Sequence, residues 1–142
     1  MQLLPITISP AQQKELLDGA QQAAHCAYAP YSGFRVGAAL LLEGGEIVTA
    51  ANVENASYGL SLCAERSAIA RAIAQNGPKL RIHAVAVTNL NNAPSSPCGA
   101  CRQVLAEFMP PDGLVLFPFD GMPQTHTLAE LFPLGFDLTH AE

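Results

Sequence analysis

Two short segments, Cys63-Ala64-Glu65-Arg66 and Pro97-Cys98-Gly99-Ala100-Cys101-Arg102-Gln103, combine residue types that bind a metal and move protons. Thiolates are zinc ligands, and the two-residue gap between Cys98 and Cys101 lets both sulfurs reach one ion. Cys63, from a separate segment, completes three protein ligands. Three ligands leave the fourth tetrahedral position open to water, as in a catalytic zinc site. Glu65, two residues after Cys63, can approach such a water without being a ligand and carry its proton. A three-thiolate centre is net negative and acidifies its water less than a neutral ligand set does. Arg66 is placed to offset that charge by hydrogen bonding to sulfur. Arg102 is either a second such partner or an ordinary surface residue. Two blander readings stand beside this one. One is a closed structural site with Cys26 as fourth ligand, in a binding module that has no need of Glu65. The other is a redox Cys-x-x-Cys, which leaves Cys63 and Glu65 without purpose.

The elements that must position these residues follow from periodicity and punctuation. Ser9, Pro10 and Gln12 read as a capped helix start. Leu16, Leu17, Ala20, Ala23, Ala24 and Ala27 then recur at helical spacing, a face of mostly small residues suited to close packing. Tyr28 to Gly33 breaks that helix. Val36 to Leu42 and Ile47 to Ala51 form a hairpin across Glu43-Gly44-Gly45-Glu46. Cys63 to Gln75 is helical and stops at Asn76-Gly77-Pro78. Ile82 to Thr88 is a buried strand, Cys98 to Phe108 a helix, and Leu114 to Phe117 a short strand. Thr127 to Glu130 is a capping box that opens a last helix. Both cysteine segments thus fall at helix starts, where unpaired N–H groups and the helix dipole favour thiolates. The alternation predicts one α/β domain over residues 1–142, a mixed sheet with helices on both faces.

Composition narrows the function. The 142 residues carry 7 basic against 12 acidic side chains, a net charge of −5, without the clustered basic footprint that polynucleotides require. No stretch approaches the roughly 18 apolar residues of a membrane span, and Met1 to Pro10 has no secretory pattern. The expected location is cytoplasmic, where four cysteines point to metal or catalysis before disulfides. Apolar residues make up 49% of the chain and charged ones 13%, a balance that favours oligomerisation. His25, His83, His126 and His140 have no mutual metal spacing and read as structural or exposed.

Cys-x-Glu, followed by Pro-Cys-x-x-Cys with its first cysteine 35 residues after Cys63, is the pattern of zinc nucleobase deaminases. With its flanking segments, the chain resembles the small homotetrameric cytidine deaminases over roughly Ser9 to Phe136. Pro30-Tyr31-Ser32 through Ala39 resembles the family's substrate loop and first strand. Asn52 to Tyr58 is similar to its nucleoside-binding segment. Leu131 to Phe136 is similar to its C-terminal Leu-Leu-Pro-x-x-Phe, with Phe132 replacing the second leucine. The resemblance implies a five-stranded mixed sheet between helices and one zinc ion per subunit. It also implies that zinc-bound hydroxide attacks C4 of cytidine or deoxycytidine while Glu65 shuttles protons. Phe34 would pack on the pyrimidine, Asn52 and Glu54 would bind the ribose, and Ala64 and Glu65 would read the base edge. Phe136 would stack from a neighbouring subunit, so that sites are shared across an interface. Tyr31 and Tyr58 are either pocket or packing residues. Glu54 facing the sugar would repel a phosphate, which favours a free nucleoside. A relative acting on blasticidin S is the rival reading, and Asn52-Val53-Glu54 argues against it.

Overall fold

The computed structural model describes residues 5–138. Helix α1 spans Pro10–Ala24, and the expected capping box is present: Ser9 Oγ accepts from Gln12 N–H, and Gln12 Oε1 accepts from Ser9 N–H. The helix ends before Ala27, because the N–H groups of Cys26 and Ala27 bond three residues back, tightening the last turn. Strands β1 (Val36–Leu42) and β2 (Ile47–Ala51) form the expected antiparallel hairpin. A single 3₁₀ turn, Tyr58–Leu60, interrupts the irregular segment that follows. Helices α2 (Ala64–Asn76) and α3 (Gly99–Phe108) flank strand β3 (Ile82–Asn89) in the chain. Strand β4 (Leu114–Phe119), strand β5 (Met122–Thr127) and the short helix α4 (Leu128–Leu131) complete the order.

The five strands form one sheet in the order β2-β1-β3-β4-β5, with β3 and β4 parallel and all other pairs antiparallel. The parallel pair is joined through α3, as such a pair requires. Periodicity missed β5, whose Met-Pro-Gln-Thr-His-Thr is polar and exposed, as suits an edge strand with an early proline. The signal that finds it is Asp120-Gly121. Both residues adopt positive φ, 52° and 78°, as a tight hairpin turn of this kind demands.

Alternation along β1 divides the core. Ala39 and Leu41 pack with Leu16 and Ala20 of α1 on one face, whereas Ala38, Leu40 and Leu42 face Ala64, Ala68 and Ala72 of α2 on the other. The sheet is therefore covered on both faces, and among the described residues no helix is long and apolar enough to cross a membrane.

The small-residue face of α1 has a measurable reason. A Cβ on Gly37 would lie 1.8 Å from the carbonyl oxygen of Ala20 and 2.6 Å from the amide nitrogen of Ala24, so helix backbone rests directly on β1. At Gly19 a Cβ would meet Thr49 Cγ2 at 3.4 Å, an ordinary contact. Gly37→Ala should therefore destabilise by about 3 kcal/mol or more, since backbone must move. Gly19→Ala should be neutral or gain up to about 1 kcal/mol from helix propensity. Denaturant unfolding of the two variants checks the contrast.

Candidate active site

The floor of the site is made by two helix beginnings. Cys63 is the N-cap of α2 and Cys98 the N-cap of α3, both with extended backbone, and neither side chain hydrogen-bonds its own helix. Their sulfurs are therefore not used as caps. Cys101 lies within the first turn of α3 and is fully buried. The three Sγ atoms lie within 4.8 Å of one another, and those of Cys63 and Cys98 are 3.9 Å apart. A tetrahedral zinc with Zn–S bonds of about 2.3 Å separates its sulfurs by about 3.8 Å, so this donor set fits a zinc ion. Cys26 is exposed and does not join the cluster, which removes the closed four-cysteine site among the described residues. No histidine joins it either, and His140 lies outside the described residues.

The charges around the sulfurs are arranged as a set. Arg66, one turn after Cys63, donates from Nη2 to Cys63 Sγ at 3.3 Å. Its Nε is buried without a protein partner, so the guanidinium retains donor capacity beyond that bond. The neighbouring Cys101 thiol and then Arg66 hold Cys63 below the ordinary thiol range, against the effect of burial. Cys101 is pushed the opposite way by its contact with Cys63 and by burial. Arg102 does not serve the sulfurs. Its Nε donates to the Pro97 carbonyl at 2.8 Å and its Nη1 to the Leu131 carbonyl at 2.7 Å, tying α4 to the loop before Cys98.

Glu65 follows Ala64 in the first turn of α2 and is only 4% exposed. Burial, with a further contribution from the Cys63 charge, raises its carboxyl above the usual carboxylate range. A carboxyl raised in this way takes up a proton more readily than an exposed one, as a proton carrier requires. Glu65 opens onto a pocket of about 440 Å³ that Cys63, Cys98 and Ala64 also line. Phe34, Asn52 and Glu54 form another part of the wall. Tyr58 lines the pocket, and Leu62, Pro94, Ser95 and Ser96, none of them carried by a chemical motif, contribute the remainder that bears on the site.

Two of these wall residues are engaged with backbone. Asn52 donates from Nδ2 to the Phe34 carbonyl at 2.8 Å and accepts from Val36 N–H at 2.9 Å. One N–H and one lone pair of its amide stay available. Glu54 accepts from the N–H groups of Tyr31 and Ser32, at 3.0 and 3.2 Å, and from the Ser32 hydroxyl. The Ser32 hydroxyl above all holds its carboxyl below the ordinary value, so Glu54 faces the pocket as an anion. Tyr58 meets Tyr31 edge-to-face with ring centroids 6.2 Å apart. Phe136 stands apart: the residue is 69% exposed and does not line this pocket. Its carbonyl accepts from Gln103 Nε2 at 3.0 Å, so the last residue of α4 and the segment that follows it are both tied to α3.

Three converging thiols with no fourth protein ligand among the described residues, beside a buried carboxyl in an open pocket, define a zinc hydrolase site. Residues 10–116 match the cytidine and deoxycytidylate deaminase zinc-binding region. The chain is 47% identical to a cytidine deaminase of Halalkalibacterium halodurans, covering 85% of this chain and 91% of that one. A cytidine deaminase structure from Burkholderia pseudomallei superposes with a TM-score of 0.79 at 42% identity, covering 87% of this chain and 98% of the other. One from Mycobacterium tuberculosis gives 0.76 at 40% identity, covering 89% and 98%. The chain belongs to the cytidine and deoxycytidylate deaminase family.

Arg66→Ala should weaken zinc retention by roughly 10- to 100-fold, because a charged partner of a ligand sulfur is lost. Cys26→Ser should leave zinc stoichiometry unchanged. Competition with a chromogenic chelator measures both.

Proposed function

We propose that this protein is a cytidine deaminase, converting cytidine and deoxycytidine with water to uridine and deoxyuridine, and releasing ammonia. The observation that carries the reading is a cluster of three thiols, two of which line the same pocket as the buried carboxyl Glu65, with Phe34, Asn52 and Glu54 in its wall. Relatives of the same family named cytidine deaminase match this chain over most of its length.

In this reading Cys63, Cys98 and Cys101 hold one zinc ion per subunit, with Arg66 balancing the thiolate charge. Zinc, when bound, supplies the Lewis acidity that makes water a nucleophile near neutral pH. Glu65 takes a proton from the attacking water and delivers it to N3 of the ring as oxygen adds to C4. It then takes the remaining proton from the oxygen added to C4 and passes it to the exocyclic amine, so that the C4 carbonyl forms as the C4–N bond breaks and ammonia leaves. The raised affinity of Glu65 for a proton suits both transfers. The Ala64 backbone and the Glu65 carboxyl read the polar edge of the base, while Phe34 packs on its face. Asn52, through its remaining N–H, and Glu54 hold the sugar hydroxyls. The Glu54 anion disfavours a phosphate at the sugar position it faces, and the net charge of −5 disfavours polynucleotides. The exposed Phe136 belongs, in this reading, to the pocket of a neighbouring copy in a homotetramer. The activity serves pyrimidine salvage in the cytoplasm.

Ultraviolet absorbance of the zinc-loaded protein with cytidine tests the assignment. The parent should convert cytidine to uridine, and Glu65→Gln at equal zinc content should lose about 100- to 10,000-fold in kcat. An inactive, zinc-loaded parent would sink the substrate, and an equally active variant would sink the role of Glu65.

A further inference from the structure

Phe34 lies beyond the sheet. β1 begins at Val36, β2 stops at Ala51 and β3 stops at Asn89, so no strand ladder reaches the residues that carry the ring. The backbone there is nonetheless held, chiefly by side chains. Phe34 N–H donates to Ser32 Oγ at 2.9 Å, and the Arg35 carbonyl accepts from Leu90 N–H at 3.0 Å. On the β2 side, the Asn52 amide spans the Phe34 carbonyl and the Val36 N–H. On the β3 side, Asn91 does the same one residue earlier. Its Oδ1 accepts from Arg35 N–H at 3.1 Å and its Nδ2 donates to the Gly33 carbonyl at 3.2 Å. Two amides, each bridging a carbonyl and an N–H two residues apart, stand in for the missing neighbour strands.

Asn91 is itself anchored. Its N–H donates to Oδ1 of Asn89 at 2.9 Å, and that side chain, in a residue only 6% exposed, also accepts from Ala93 N–H at 3.1 Å and donates to the Ala93 carbonyl at 2.7 Å. The loop so fixed runs directly into Pro94, Ser95 and Ser96, which line the same pocket as Phe34. Asn91 is thus the tie between two walls whose residues lie far apart in the chain.

We infer that Asn91 is a positioning residue for the pocket, holding the Phe34 segment at a fixed place against the 94–96 wall. The inference rests on the reading of Phe34 as a contact of the base. Asn91 touches neither the sulfurs nor Glu65 in this arrangement, so its loss should act on substrate affinity and spare the chemical step.

The test compares the parent with Asn91→Ala and Asn91→Asp. Asn91→Ala should raise KM for cytidine on the order of tenfold, with kcat within about twofold and full zinc content. Asn91→Asp keeps an acceptor for Arg35 N–H but loses the donor to Gly33, and should show a smaller rise. Exchange of the Arg35 amide with solvent deuterium should quicken in Asn91→Ala. An unchanged KM, or a fall in kcat that equals the rise in KM, would overturn the inference. Should the parent fail to deaminate cytidine, the proposed activity falls by itself. Amide exchange then decides the role of Asn91, and an unaltered Arg35 rate would refute it.

Discussion

Everything at the site depends on two helices beginning side by side. A helix start presents unpaired N–H groups and the positive end of a dipole, a setting in which sulfur carries negative charge more easily. When the N-caps of α2 and α3 are both cysteine and neither caps its own backbone, the two sulfurs are free to share one ion. The sheet brings the starts together. α2 packs on β1 and β2, and α3 joins β3 to the parallel β4. The close seating of α1 at Gly37 belongs to the opposite face, and leaves the α2 and α3 side to shape the pocket.

Electrostatic demands at this place conflict, and the side chains divide them. The thiolates call for a positive neighbour, which Arg66 supplies by direct contact with Cys63. Glu65 needs the contrary condition, a surrounding that keeps a proton on a carboxyl, and burial supplies it. Glu54 sits at the rim, where the Ser32 hydroxyl and two N–H groups keep it ionised. Two glutamates of one pocket therefore hold opposite preferences for the proton because one is buried and the other is hydrogen-bonded.

Local chemistry was legible in the chain, and assembly of distant pieces was not. Cys63, Glu65, Cys98 and Cys101 announce themselves by type and spacing, and the caps of α1 and α4 by short-range pattern. β5 escaped because an edge strand need not alternate, although Asp120-Gly121 marked its turn. The work of Arg102 could not be read, since Leu131 is 29 residues away and is recognised by its carbonyl, which no side-chain pattern encodes. Asn91 is hidden for the same reason, its partners being 56 and 58 residues distant. Asn52 was read as a sugar ligand, and the structure adds that half of its amide already holds the Phe34 segment.

The tether of the C-terminal segment to α3 carries a consequence for variation. Arg102 and Gln103 grip the main-chain oxygens of Leu131 and Phe136, atoms that every amino acid possesses. Between those two points the side chain of Phe132 is held separately, packed against the core with its ring against the backbone of Gly135. Phe132, where the resembled pattern carries leucine, keeps an apolar side chain at a place the core covers, and its larger ring leaves no room for a side chain at Gly135. The attachment is written in the helix, so variation along the attached stretch answers to the core beneath Phe132 and not to the residues that grip it.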